Sequence, residues 1–112
     1  MAYGPDGLPA KECLAQVQEA VKRFLSTIRR NNPKAHILWA YGMMGTVVES
    51  AILAGIEAFC AERGENKVHY IRLDEVQGED IGARSHPGLG GHKAAADTIC
   101  RKIEELKRTE KE

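Results

Sequence analysis

His86 is the residue whose type and setting are best suited to acid–base chemistry. It lies in the stretch GARSHPGLGGHKAAADTI (82–99), followed at once by Pro87 and then by three glycines at positions 88, 90 and 91. Proline stiffens the backbone that leaves the histidine, and glycines let the chain pass closely before a helix. An imidazole titrates near neutral pH unaided, so a histidine fixed in this way could be a general base. The residues alone leave a second interpretation open, in which His86 caps the helix and His92 packs in its first turn.

A metal site is the weaker chemical alternative for the same region. It would use His86 and His92 together with Glu79 or Asp80. A separation of six residues across a loop-to-helix junction is loose for a ligand pair, and no cysteine is near. We therefore predict no metal and no organic cofactor.

Composition and cysteine usage narrow the class of protein further. The 112 residues are 43% hydrophobic and 29% charged, as in an ordinary globular domain. Sixteen basic residues balance sixteen acidic ones, so we expect neither nucleic acid nor an anionic membrane as partner. No apolar run approaches the roughly 18 residues of a membrane helix, and residues 1–12 do not have the pattern of a signal peptide. Cys13, Cys60 and Cys100 fall in helical patterns, where free thiols pack as small apolar residues.

The first half of the chain predicts a helix and then a strand. Apolar residues at intervals of three and four indicate a helix from Pro9 to about Asn31, with the proline in its first turn. The apolar run HILWAY (36–41) predicts a buried strand, and the turn GMMG (42–45) follows it. We expect Trp39 and Tyr41 to pack in the core.

The second half repeats this order. A capping box formed by Thr46 and Glu49 predicts the start of a helix that Gly64 ends. The run KVHYIRL (67–73) predicts the second strand, and a glycine-rich loop follows it. The last helix is predicted from about Leu89 to Lys107, with one packing face formed by His92, Ala96, Ile99, Ile103 and Leu106.

The resulting order, α-β-α-β-α, predicts parallel strands joined by right-handed crossovers. In such sheets ligands bind outside the carboxyl ends of the strands, where the loops 42–45 and 74–91 begin. Met43 and Met44 are therefore candidate substrate-binding residues beside His86. Two strands are few for such a sheet. We expect either that the chain is the C-terminal part of a larger α/β domain, or that it self-associates through an open sheet edge.

Two stretches resemble a known family. The stretch 82–99 looks like the last sequence block of the SGNH (GDSL-type) hydrolases, in which His-Pro stands at the entrance of the final helix. The stretch IRRNNPKAHILWAYGMMG (28–45) resembles the segment of carbohydrate esterase family two, and of related acetyl esterases, that leads to the last two strands. The likeness extends over residues 9–107. It implies a three-layer α/β/α, flavodoxin-like parallel sheet, of which residues 1–112 supply the last two strands with three helices.

The resemblance also implies an activity, which is hydrolysis of a carboxylic ester, with a carbohydrate deacetylated by a Ser-His mechanism. Of the family's reacting groups, only the general-base histidine carries over, as His86. The GDS motif of the nucleophile and the G-x-N-D motif of the oxyanion hole are both absent. Ala83 stands where the family usually has its acid, so the resemblance is to a dyad whose histidine is oriented by a backbone carbonyl. We therefore expect the complete protein to be an esterase and these 112 residues alone to be inactive. The alternative is a non-catalytic flavodoxin-like binding module or an inactive fragment.

Overall fold

The computed structural model describes residues 3, 7 and 9–111. Two single-turn 3-10 helices, Gly78–Asp80 and Ala83–Ser85, lie in the loop after the second strand. The main elements are α1 (Lys11–Asn31), β1 (Ile37–Tyr41), α2 (Glu49–Arg63), β2 (Val68–Arg72) and α3 (Leu89–Lys111). The two strands pair in parallel, which confirms the α/β class and the predicted α-β-α-β-α order.

Two predicted helix starts are wrong. Pro9 does not enter the first turn of α1 but forms an isolated antiparallel bridge with Tyr3, and the helix begins at Lys11. The expected capping box does not form either, because Val48 is the residue that caps α2 and no side chain bonds there. Gly64 ends α2 in a left-handed conformation, as predicted.

The chain divides into two compact units, and the first comprises residues 1–39 and 46–70. Its core is built where α1 packs against α2, and Leu25 and Phe59 are almost completely buried there. Gly55 lets the helices approach closely, since a methyl group at this position would stand 2.8 Å from side-chain carbons of Val21. Trp39 is half-buried and meets Phe24, which is 57% exposed, edge to face at 5.9 Å, so the prediction that it packs in the core is only partly right.

An ion pair joins the ends of both helices within this unit. Arg29 Nε donates to Glu65 Oε1 at 2.7 Å, and Arg29 Nη1 donates to the carbonyls of Asn32 and Ala35. Burial by itself would raise the pKa of Glu65, but the hydrogen bond from Arg29 and the backbone N–H of Lys67 outweigh it and hold that pKa below its usual value.

The predicted packing role of the cysteines fits Cys13 and Cys60, which are half-buried, but not Cys100, which is exposed. Cys60 lies in α2. Burial, reinforced by the negative charge of Glu65, raises the pKa of its thiol. A thiol that stays protonated is a poor nucleophile, so Cys60 behaves as a small apolar residue.

The second unit comprises residues 40–45 and 71–112. Among its described residues only Ile71 and Leu73 are buried apolar side chains. The predicted packing face of α3 is wrong at His92 and Ala96, which are exposed, and at Ile103, which is 38% exposed. Gly91 is the one buried residue described in α3, and the half-buried positions follow it at helical intervals, at 95, 98, 99, 102 and 106.

None of the helices in the described part of the chain combines the length and the apolar character that crossing a membrane requires.

Candidate active site

The turn after β1 is a tight loop held by glycine. Gly45 N–H donates to the carbonyl of Gly42 at 3.0 Å, which closes the GMMG turn as predicted. Gly42 has φ +132°, and a Cβ there would stand 2.5 Å from the carbonyl oxygen of Leu73. Only glycine combines this backbone conformation with so close a neighbour.

Two backbone hydrogen bonds tie this turn to the chain that leaves β2. Leu73 N–H donates to the carbonyl of Tyr41 at 2.8 Å, and Val76 N–H donates to the carbonyl of Met43 at 2.9 Å. The two loops that begin at the carboxyl ends of the strands are therefore joined through their main chains. Such bonds hold the loops in place without requiring a large apolar core.

A shallow pocket of about 310 Å³ opens beside the turn. Its lining consists of Ala40, Tyr41, Gly42, Met43, Met44, Gly45 and Leu73. Met43 is half-buried, whereas Met44 is 58% exposed. Tyr41 is half-buried as well and lines this pocket, so its predicted role as a core residue is only partly right.

The loop that carries His86 closes on itself. Gly82 N–H donates to the carbonyl of His86 at 2.6 Å, and Gly88 N–H donates to the carbonyl of Asp80 at 2.6 Å. Ile81 and Pro87 form an antiparallel bridge between these bonds. The segment is therefore a small hairpin whose two ends are pinned together.

Glycines allow that closure. A Cβ on Gly82 would lie 3.0 Å from the α-carbon of Gly88, so the two strands of the hairpin pass at close range. At the tip, Arg84 has φ 56° and ψ 34°, a left-handed conformation that is uncommon outside glycine. Within the described residues it is the one non-glycine with positive φ.

The hairpin leads directly into α3. His92 N–H donates to the carbonyl of Gly88 at 3.0 Å, which is the first bond of the helical series. Side-chain atoms of Asp80 occupy the space where a Cβ on Gly90 would stand, and those of Val76 and Pro87 crowd Gly91. Asp80 therefore has two roles that sequence spacing alone did not indicate. Its backbone carbonyl accepts the bond from Gly88 that closes the loop, and its carboxylate packs against Gly90 at the start of α3.

His86 is exposed, and its main chain is fully used by the hairpin. Its N–H donates to the carbonyl of Ala83 at 3.1 Å, so Ala83 contributes a backbone acceptor where an acid is usual in the family that the sequence resembles. Within the described residues no hydrogen bond or ion pair to the imidazole ring is found. His86 does not belong to the lining of the Met43 and Met44 pocket, so the structure groups the two methionines but does not place the histidine in that pocket.

The metal site that the sequence left as a weaker alternative has no assembled ligand set among the described residues. Within the described part of the chain, no three side chains of His, Cys, Asp or Glu come together as a metal-binding group. Glu79 and Asp80 are both exposed and lie in the first 3-10 turn.

Two esterases are among the solved structures that are similar to this chain. An acetyl xylan esterase, Est2A, from the rumen bacterium Butyrivibrio proteoclasticus is 30% identical with a TM-score of 0.87, and the match covers 96% of this chain and 29% of that one. An active-site mutant of a family two carbohydrate esterase from Clostridium thermocellum is 28% identical with a TM-score of 0.70, and the match covers 79% of this chain and 28% of that one. No protein-family model matches the chain, and no curated protein matches it significantly.

The chain thus spans about 29% and 28% of the lengths of these two esterases. The acetyl xylan esterase nevertheless matches 96% of this chain, with both 30% sequence identity and a similar fold. An acetyl xylan esterase and a family two carbohydrate esterase are thus among the structural neighbours of this chain, which confirms the resemblance to family two carbohydrate esterases and related acetyl esterases expected from its sequence.

Proposed function

We propose that this chain is the C-terminal, histidine-bearing portion of a carbohydrate acetyl esterase domain. The observation that carries the proposal is the match to the acetyl xylan esterase, which covers 96% of this chain with a TM-score of 0.87. The chain contains neither GDS nor G-x-N-D, so the nucleophile and the oxyanion donors come from outside these 112 residues.

His86 is the general base in this proposal. Its imidazole takes the proton of a serine hydroxyl as the serine oxygen attacks the acetyl carbonyl carbon. The proton then passes to the sugar oxygen as the ester bond breaks, which leaves an acetyl-serine. Water attacks that intermediate in the second half and gives one proton to His86. The serine regains that proton as acetic acid leaves, and the acid then releases its own proton to solvent.

The hairpin supports this role through rigidity and access. Both polar groups of the His86 backbone are hydrogen-bonded inside the 80–88 segment, so the main chain holds one position while the ring stays exposed. A general base needs this combination, because it must be held within hydrogen-bond reach of a group supplied by another segment.

The pocket beside the GMMG turn is proposed to take the acyl side of the substrate. Met43 and Met44 provide polarizable apolar surface that adapts to a small group. Its volume of about 310 Å³ lies at the low end of ligand pockets, which fits an acetyl group with part of a sugar.

A chimaera tests the proposal directly. The segment of Est2A that this chain matches is replaced by residues 9–111, and the product is assayed on acetylated xylan and p-nitrophenyl acetate. We expect ester hydrolysis to be recovered, because this chain would supply the general base to the serine of the host enzyme. A chimaera that folds, as judged by circular dichroism, and is inactive on both esters contradicts the proposal.

The 112-residue chain alone provides the matched control. Without a nucleophile it should hydrolyse p-nitrophenyl acetate no faster than an equal concentration of free imidazole. A covalent acyl-serine detected on this chain by mass spectrometry would show that the nucleophile lies within it, against our assignment.

A further inference from the structure

A pair of histidines lies at the other end of β1 from the GMMG turn. His36 directly precedes β1, and His69 is the second residue of β2. The Nδ1 atom of His36 and the Nε2 atom of His69 are 3.0 Å apart, with ring centroids 5.1 Å apart. The proposed esterase function makes no use of either residue.

The strands fix this pair. Ile37, which follows His36, donates its N–H to the carbonyl of Lys67, two residues before His69, at 2.8 Å. The two histidines therefore lie beside one parallel ladder of backbone hydrogen bonds. Because side chains alternate along a strand, His36 and His69 project from the same face of the sheet. His69 is carried on a strand and His36 adjoins one, and side chains positioned by such elements are held more precisely than side chains on loops.

The spacing of the two nitrogens matches that of metal ligands. Two imidazole nitrogens bound at about 2.0–2.1 Å in a tetrahedral site lie about 3.3–3.4 Å apart. The observed 3.0 Å is a few tenths of an ångström shorter. The rings need only turn about χ2, a soft torsion in histidine, to aim both lone pairs at one ion. Both residues are half-buried, so water can reach the remaining coordination positions.

We propose that His36 and His69 form a two-histidine site for a divalent transition metal of the imidazole-binding class, such as Ni²⁺, Zn²⁺ or Cu²⁺. As the ion binds, the ring that donates in the pair moves that proton to its other nitrogen, so both facing nitrogens coordinate the ion and join the start of β1 to β2. The site needs neither His86 nor an ester substrate, so it stands or falls independently of the proposed function.

Titration calorimetry with Ni²⁺ tests the site on the 112-residue chain. Ni²⁺ is the chosen probe because imidazole suits it, whereas Zn²⁺ is also drawn to thiolates and this chain has three free cysteines. We expect one ion per chain. His36→Gln and His69→Gln should each weaken binding by at least about tenfold, because each removes one of two protein ligands.

His92→Gln is the matched control, since it removes an exposed histidine outside the pair and should leave the affinity unchanged. Circular dichroism checks that each variant is folded. The proposal is overturned if the chain binds no Ni²⁺, or if both His36→Gln and His69→Gln bind it as tightly as the unaltered chain.

A second measurement needs no variant. Ni²⁺ is paramagnetic and broadens the NMR signals of protons close to it, and the chain has four histidines whose ring signals can be compared. Substoichiometric Ni²⁺ should broaden the ring protons of His36 and His69 before those of His86 and His92. Equal broadening of all four overturns the assignment even if a variant fails to fold.

Discussion

The two compact units of this chain are held together in different ways. In the first, α1 and α2 pack with Leu25 and Phe59 almost completely buried, and a nearly buried ion pair joins the helix ends. In the second, only Ile71 and Leu73 are buried apolar side chains among the described residues, and the loops are joined through backbone hydrogen bonds. All three candidate site residues, Met43, Met44 and His86, lie in the second unit.

The difference assigns separate tasks to the two units. Close-packed apolar surface supplies most folding stability, so the first unit should govern the unfolding free energy. Loops fixed by main-chain bonds keep their side chains accessible, and functional residues are concentrated in such loops. Substitutions in the first unit should therefore act on stability, and those in the His86 hairpin should act on catalysis.

The largest expected effect is that of His86→Ala on the active chimaera. It should lower kcat by about a thousandfold or more with little change in KM, because the general base acts in the transition state. The rate of p-nitrophenyl acetate hydrolysis measures both constants. His92→Ala is the control and should leave kcat nearly unchanged, since His92 is exposed in α3. Equal, small losses in the two variants would remove the catalytic assignment.

Phe59→Ala should cause the largest loss of stability. The side chain is 1% exposed, so its truncation leaves a cavity and should cost about 3–5 kcal/mol. Urea denaturation measures this free energy. Ile103→Ala is the comparison in the second unit, and because that side chain is 38% exposed it should cost less than about 1 kcal/mol. Similar losses at the two sites would contradict the division of tasks.

Glu65→Gln should cost about 2–3 kcal/mol at pH 7, because it leaves the mostly buried Arg29 without its counter-charge. The pKa of Glu65 is held below its usual 4.5, so its contribution is complete above pH 4.5 and is lost as pH falls through the lowered pKa. The difference in unfolding free energy between the original chain and the variant should therefore shrink as pH falls below 4.5. A difference that stays constant as pH falls would show that the carboxylate charge does not matter.

Gly42→Ala should cost about 2 kcal/mol, because the new methyl group meets the carbonyl of Leu73 and the backbone conformation is strained. Gly64→Ala is a matched control, since Gly64 also has positive φ but has no atom within 4 Å of the added carbon. It should cost about 1 kcal/mol. Thermal unfolding of both variants separates crowding from backbone strain, and equal losses would show that the approach to Leu73 is unimportant.

The elements were predictable where local pattern and packing agree. Residues at intervals of three and four gave α1 its buried face at Val21 and Leu25. Gly64 ended α2 because a left-handed residue satisfies the last carbonyls of a helix. The class and order of elements were confirmed for these reasons, whereas the three-layer architecture and self-association stay predictions.

Local patterns failed where a neighbour overrode them. Pro9 suits a first helical turn, yet its pairing with Tyr3 keeps it extended. Thr46 and Glu49 have capping-box spacing, but the main chain turns between them and Val48 becomes the cap. His92 falls on the apolar periodicity of α3, yet Gly91 takes the buried position against Val76 and Pro87. The spacing of His-Pro and the glycines predicted a stiff loop before the last helix. It did not predict the hairpin, whose cross-bonds depend on Asp80 six residues earlier than His86.

The pinned ends of the 80–88 hairpin bear on how this chain can vary in length. The bonds from Gly82 to His86 and from Gly88 to Asp80 fix where α3 begins, whatever the tip between them contains. Residues inserted beside Arg84 would extend the tip outward, and the closure entropy of a longer loop grows only slowly with length. The tip is therefore a place where insertions can accumulate while the carbonyl of His86 keeps its bond to Gly82, but they would replace the bond from the His86 N–H to Ala83.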